Sequence, residues 1–265
     1  MTTANPTNKF CFGNLKIEVY PTREEAGIAA AHASAEALKE LAKTRESIGV
    51  IFATGSSQLA TLRALVKLEQ LPWGKVVGFH MDDYIGLPVD HRASFLGYLK
   101  ANLLQHVQMK SFLPMDGSAI DIEQACKDYA DAVRQADPQL CLIGIGENGH
   151  LAFNDPAEAD FNDPLDLKVV HLDDLCRAQQ AGEGWFDSPS EVPERAITLT
   201  MPALFRVPKL SVSISGKRKA NIVRRTLVDP ITTECPSTIL RTHADTTLYL
   251  DQEAASEVGD LLMPC

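Results

Sequence analysis

Apolar positions along the chain fall into short β-like runs that alternate with longer stretches of helical spacing. Ile17 to Tyr20 reads as a strand that stops at Pro21. Thr22, Arg23, Glu24 and Glu25 have the spacing of a capping box, which predicts an Ala-rich helix to about Lys43. Ser47 to Ala53 is a buried strand, followed by the turn Thr54-Gly55-Ser56-Ser57 and a helix to about Glu69. Lys75 to Met81 is the next strand, and a loop carries Asp82, Asp83 and Tyr84 past Pro88. Helices are predicted over Ser94–His106 and Ile120–Gln135. Leu140 to Ile145 is a strand that runs into a Gly-rich segment, and Leu167 to Leu172 is a further candidate strand. Leu210 to Ile214 alternates apolar with polar and predicts a half-buried strand; a helix over Lys217–Leu227 and a last strand over Thr247–Leu250 follow.

Strands that alternate with helices predict an α/β fold: a single doubly wound, mainly parallel sheet with helices on both faces, Rossmann-like. Residues 1–15 read as a loose N-terminal arm and residues 16–265 as a single domain, a common size for one α/β unit. No internal repeat or low-complexity tract interrupts it. The stretches Pro156–Pro164 and Gly182–Pro193 read as loops, the second long enough to be a lid.

Composition narrows the partners. The net charge of −10 argues against a nucleic-acid surface or an anionic membrane. It does not argue against a small anion, which a few local amides and one or two cations suffice to hold. No apolar run approaches the roughly 20 residues of a membrane span. The six cysteines form no C-x-x-C pair, and no basic-then-apolar leader opens the sequence, so free thiols in a reducing cytoplasm are expected. A homo-oligomer is compatible with the sequence.

In open parallel sheets, ligands bind outside the carboxyl ends of the strands. Four loops leave such ends. Thr54-Gly55-Ser56-Ser57 offers small residues, hydroxyls and a helix N-terminus to an anion, or is only a helix cap. Gly216-Lys217-Arg218-Lys219 sets three cations at a helix start, against the macrodipole; an anion among them would explain it, and so would a solvated basic turn. His80-Met81-Asp82-Asp83-Tyr84 sets two carboxylates after a strand, and one of these suits a base beside a carbonyl. A metal on His80 and Asp82 is the competing reading, but no further His or Cys stands at useful spacing, so no metal is expected. Gly144 to Pro156 presents His150 beside Asn148, with Asp155 five residues on; a carboxylate there can orient an imidazole, which near neutral pH both takes and gives protons. The alternative is a hydrogen-bonded structural histidine.

Met81-Asp82-Asp83-Tyr84-Ile85-Gly86-Leu87-Pro88 and Gly144-Ile-Gly-Glu-Asn-Gly-His-Leu-Ala-Phe-Asn-Asp-Pro156 together resemble motifs of the glucosamine-6-phosphate deaminase (isomerase) family, over about residues 15–250. That family shares its fold with the 6-phosphogluconolactonases, which usually lack the Phe-Asn-Glu-Pro continuation and the Asp-Glu-Tyr loop. The resemblance implies conversion of D-glucosamine 6-phosphate and water to D-fructose 6-phosphate and ammonia, without metal or organic cofactor. It implies Asp82 as the base that moves a proton between C2 and C1, His150 as the ring-opening acid/base, and Asn148 and Asp155 as the residues that orient it. Gly55, Ser56, Ser57 and Lys219 would hold the phosphate, with Asp83, Tyr84, Gly149 and Arg177 among the further substrate contacts.

The chain departs from the family pattern in three places. Asp155 stands where Glu is common, one methylene shorter, which predicts a looser or water-mediated grip on His150. A phosphate-binding Arg in a Ser-Arg-Phe-Phe context has no clear match; the region reads Cys176 to Phe186, and Arg177 stands one turn away. The basic cluster that binds an allosteric activator in some members is missing, so that regulation is not expected. A 6-phosphogluconolactone hydrolase, a deaminase for another hexosamine phosphate and, last, a non-catalytic sugar-phosphate sensor are the alternatives.

Overall fold

The computed structural model of the protein describes residues 4–259 and 261; Met1 to Thr3 of the expected arm and Cys265 lie outside the described residues. In chain order the elements are β1 (Asn8–Phe12), β2 (Leu15–Tyr20), α1 (Arg23–Leu41), β3 (Ile48–Phe52), α2 (Ser56–Leu65), β4 (Val76–His80), β5 (Asp82–Tyr84), α3 (Phe95–Leu99), β6 (Ser111–Leu113), α4 (Ile122–Ala136), β7 (Leu140–Ile143), β8 (Leu167–His171), α5 (Asp174–Gly182), β9 (Arg195–Leu199), α6 (Met201–Phe205), β10 (Lys209–Ile214), α7 (Ala220–Val228) and β11 (Thr246–Asp251). Eight strands form one sheet in the order β1-β2-β11-β10-β7-β3-β4-β6. Every pairing in it is parallel except β1 with β2.

The period of two along each strand sorts side chains onto the two faces. On β3, Ile48, Val50 and Phe52 join a core with Ala31, Ala35 and Leu38 of α1 and Leu62 and Leu65 of α2. Ile51 between them joins the opposite core, with Tyr129 and Val133 of α4 and Ile222 and Val223 of α7. Neighbouring β7 splits the same way, Leu140 and Leu142 against Cys141 and Ile143. A central strand covered on both faces reads as a continuous apolar run, and this explains why Ile48–Phe52 shows no alternation.

The expectations hold for the doubly wound sheet and need correction in five details. Part of the expected loose arm is a strand, β1, paired antiparallel with β2 along Asn8–Phe12. Asp82 to Tyr84 is a strand rather than a loop: it joins β9 and β8 in a separate three-stranded antiparallel sheet. The helix expected over Ser94–His106 is one short α turn, α3, continued as a π-helix over Lys100–Leu104. Strand β10 is buried from Leu210 to Ile214 instead of half-buried, because its Ser211 and Ser213 face packed helices and not water. Cys126, Cys141, Cys176 and Cys235 are free, as expected, and lie buried, but Cys11 is disulfide-bonded.

Helix α1 begins as the capping box predicts, with Thr22 Oγ1 accepting from the Glu25 amide at 3.2 Å. Helix α2 is tied to the sheet by two buried polar contacts. Gln58 Nε2 donates to the Ile143 carbonyl at 2.9 Å, and Thr61 and Ser213 share a hydroxyl bond of 3.0 Å. These set the start of α2 beside the carboxyl ends of β7 and β10. Thr61→Val removes one hydroxyl at nearly constant volume and strands the other in the interior. The expected cost is about 1–3 kcal/mol in urea unfolding, with the Thr61→Val/Ser213→Ala double variant losing less than the two singles together. Additive losses would show that the two hydroxyls do not act as a pair.

Candidate active site

The carboxyl ends of β3, β4, β7 and β10 open onto one cleft, lined by Thr54 to Ser57, Met81 and Asp82, Gly144 to Gly146, His150, Ala152, Phe153 and Lys219. A roof of Arg92, Phe95, Tyr98, Gln179, Gln180, Glu183 and Trp185 covers it.

Asp82 reaches the cleft because one residue, Met81, separates β4 of the main sheet from β5 of the small one. The Met81 carbonyl accepts from the Leu199 amide at 2.8 Å, so the chain changes sheets without a free turn and Asp82 stands at the junction. Burial pushes the Asp82 carboxyl well above the ordinary range, and the neighbouring Asp83 adds to the effect. Burial likewise pushes Asp83 up to about 7, against the opposing pull of the Tyr84 and Phe95 amides.

His150 is fixed from behind. Its Nδ1 lies 2.7 Å from Asp155 Oδ1, and Asp155 has no exposed surface. Asn148 bridges the pair: its Nδ2 donates to the same Asp155 oxygen at 2.8 Å, and its Oδ1 accepts from the His150 amide at 3.0 Å. Burial alone would raise the Asp155 carboxyl, but His150, Asn148 and the Cys176 thiol outweigh it and hold it below the ordinary value. The imidazole lies over Gly146, where a Cβ would come within 2.2 Å of the ring. The turn is stitched to β9 by Asn154 Nδ2, which donates to the carbonyls of Leu151 and Leu199 at 2.8 Å each.

At the other end of the cleft, Gly55 starts α2 at φ 94°, a backbone that a residue with a side chain adopts only under strain, and no side chain caps the helix. The first-turn amides and the hydroxyls of Ser56 and Ser57 are donors suited to an anion. Lys219 Nζ donates to the Ile145 carbonyl at 2.8 Å; burial lowers its pKa, and Glu183 and Glu147 partly offset this.

A family profile described as glucosamine-6-phosphate isomerases/6-phosphogluconolactonase matches residues 21–249. The chain belongs to this family. A glucosamine-6-phosphate deaminase of Thermoanaerobacter pseudethanolicus is 32% identical over 234 residues, 86% of this chain and 90% of the relative. One of Exiguobacterium sibiricum is 35% identical over 233 residues, 87% and 89% of the two chains. A solved monomeric glucosamine-6-phosphate deaminase superposes with a TM-score of 0.82 at 31% identity, covering 91% of this chain and 99% of that one. A 6-phosphogluconolactonase of Thermotoga maritima has the same fold, with a TM-score of 0.73 at 21% identity over 89% of this chain and 99% of that one.

Of the family positions singled out in the sequence, Asp82, His150, Gly55, Ser56, Ser57 and Lys219 line one cleft, and Asn148 and Asp155 stand directly behind His150. The looser or water-mediated grip expected of Asp155 is not what the structure has, since the contact is direct. Four residues sit elsewhere. Tyr84 is buried among Phe95, Phe153 and Phe186, with ring centroids 5.0–5.6 Å away, and does not line the cleft. Asp83 turns back to the Tyr84 amide at 2.8 Å, Gly149 closes the turn onto the Gly146 carbonyl, and Arg177 on α5 is outside the lining. Lys219 alone of the three expected cations lines the cleft: Lys217 bonds Ser256 at 2.8 Å and Arg218 pairs with Glu147 at 2.9 Å.

The loop Gly182–Pro193, expected as a lid, supplies Glu183 and Trp185 to the roof, but the rest of the roof carried no signal in the sequence. Arg92 lines the cleft and ties two roof segments together, with Nε donating to the Trp185 carbonyl at 2.9 Å and a guanidinium nitrogen paired with Asp187. Its signal, a lone Arg in a loop, carries no pattern. His80 does not line the cleft; it is a buried histidine whose Nε2 accepts from the Met115 amide at 2.7 Å, and burial lowers its pKa to about 4. Among the described residues, the one group of His, Cys and carboxylate ligand atoms close together is His150, Asp155 and Cys176, within 4.8 Å, and these are engaged with one another.

The raised Asp82 carboxyl has a consequence for stability. The folded chain keeps this proton to higher pH than the unfolded chain, so the associated stability is full below the unfolded value and is lost as pH rises toward the folded one. Asp82→Asn cannot ionise. Its unfolding free energy relative to the native chain should rise between pH 3.5 and pH 8, as read by urea unfolding at each pH. Equal stability at both pH values would show that Asp82 carries no burial penalty.

Proposed function

We propose that the protein is an isomerising glucosamine-6-phosphate deaminase, converting D-glucosamine 6-phosphate and water to D-fructose 6-phosphate and ammonia. The observation that carries this reading is that a buried, unpaired carboxylate, Asp82, and an Asp155-oriented imidazole, His150, line the same cleft as an anion cradle. Ring opening needs one group that takes the O1 proton and returns it to O5. An imidazole whose Nδ1 is held by Asp155 has Nε2 left for this exchange. Isomerisation needs a base at C2 of the open chain. A carboxylate raised by burial lies nearer in proton affinity to such a weak carbon acid than an exposed one does. Proton return at C1 leaves the imine of the ketose, which water hydrolyses to ketone and ammonia. No step in this reading calls for a metal or an organic cofactor.

Ser56, Ser57, the first-turn amides of α2 and Lys219 would hold the phosphate, with Arg92 as a second cation in the cleft. A hydrolase for 6-phosphogluconolactone would use His150 to activate water but has no task for a base at Asp82. Among the described residues no helix is long and apolar enough to cross a membrane. A charged sugar-phosphate substrate fits a cytoplasmic enzyme.

Purified protein given glucosamine 6-phosphate should release ammonia and fructose 6-phosphate in equal amounts and leave a parallel lactone substrate largely untouched. Absence of ammonia from every hexosamine phosphate tried would end the deaminase reading. Asp82→Asn should still bind the sugar phosphate but lose exchange of the C2 proton with solvent, and exchange at the native rate would move the base elsewhere. His150→Gln should lower kcat by about 10²–10⁴-fold, the usual contribution of a positioned acid/base. A negligible change would return His150 to a structural role.

A further inference from the structure

Besides Asp82, a second carboxylate lines the cleft, and neither the ring opening nor the proton transfer uses it. Glu183 caps the end of α5 and reaches across the mouth. Its Oε2 accepts from Ser56 Oγ at 3.3 Å and from Trp185 Nε1 at 3.3 Å, while its Oε1 accepts from Gln179 Nε2 at 2.9 Å. Ser56 opens α2, the helix whose uncapped first turn forms the anion cradle. The Lys219 ammonium also feels the Glu183 charge, ahead of that of Glu147. An anionic group of the protein itself thus engages Ser56, one of the donors that the proposed function assigns to the substrate phosphate, and acts through its charge on Lys219, another.

A serine hydroxyl has one proton to donate, so Ser56 cannot serve Glu183 and a phosphate oxygen together. A phosphate dianion beside a carboxylate is also repelled, more strongly in a partly dehydrated cleft than in water. The roof is coupled to this contact, because Gln179 and Trp185 hold the same carboxylate, and the Gln179 side-chain oxygen accepts from the Glu147 amide at 2.9 Å in the catalytic turn.

We propose that Glu183 is an internal competitor for the phosphate subsite: it occupies Ser56 in the empty cleft, and the phosphate of a phosphorylated hexosamine displaces it. Glu183 therefore sets specificity. Free phosphate and other small anions must overcome it with no further contacts, whereas a phosphorylated sugar offsets the displacement with contacts along the rest of the cleft. The proposal rests on the reading of Ser56 and Lys219 as the phosphate cradle.

The test is calorimetric titration of the full chain with inorganic phosphate at fixed ionic strength, for the native protein, Glu183→Gln and Lys219→Gln. Glutamine keeps the size of Glu183 and an acceptor for Gln179, and thermal melts check that each variant is folded. Glu183→Gln should bind phosphate about tenfold more tightly than the native chain, or about 1.4 kcal/mol. Lys219→Gln should bind it at least about tenfold more weakly. If Glu183→Gln binds phosphate no better while Lys219→Gln weakens it, the cradle stands and the competitor is refuted. Weaker binding by Glu183→Gln would make Glu183 a support of the site. If neither variant differs from the native chain, the phosphate cradle itself is misplaced, and the proposal falls with it.

Discussion

Parallel pairing through the middle of the main sheet brings the carboxyl ends of β3, β4, β7 and β10 to one edge, and each functional segment leaves from that edge. Residues 54–57, 81–82, 144–150 and 216–219 are far apart along the chain, and the shared strand direction alone collects them. The sheet in turn holds because both faces are covered by helices, so the register of β3 and β7 is set by two cores at once. Buried polar contacts from α2 to β7 and β10 then place the helix start to within a side chain's reach of the cleft.

The two buried aspartates of the site are handled in opposite ways. Asp155 is surrounded by donors and stays below its ordinary pKa, so it can hold an imidazole without itself taking the proton. Asp82 has no cationic partner and is raised by burial and by Asp83. An unpaired buried carboxylate is a cost to folding, and groups with such a cost cluster at functional sites. The small antiparallel sheet makes this arrangement possible: β9 holds β5 and the turn before Asn154 in one register, so that Asp82 and His150 are placed by a common neighbour.

The roof contains one of the chain's departures from the family pattern noted in its motifs. The segment that lacks the expected Ser-Arg-Phe-Phe arginine carries Glu183 and Trp185 into the cleft, and Arg92 enters from a different loop. Lys219, Arg92 and Glu183 are thus charged side chains that share the cleft with Asp82.

Much of the fold was legible in the chain because strands and helices there are long enough to show a period. The Thr22 capping box, the apolar run of β3 and the helix expected over Ile120–Gln135, observed as α4, all appear where local chemistry places them. The Gly-rich turn was legible as well, since close approach of an imidazole to Gly146 and the Asn148–Asp155 pairing are contacts among near neighbours. Short strands were not: β5 and β6 span three residues each, too few for periodicity to register. Leu210–Ile214 is buried on both faces because helices cover its serines as well, with Ser213 bonded to Thr61 of α2. What only the tertiary structure decided is which way side chains face when their partners are distant in sequence. Tyr84 turned into an aromatic core, Lys217 and Arg218 turned away from the cleft, and Arg92 and Glu183 turned into it. A local pattern specifies an element and its near contacts, whereas the direction of an isolated charged residue depends on contacts between distant parts of the chain, from Lys217 with Ser256 at a separation of 39 to Glu183 with Ser56 at 127.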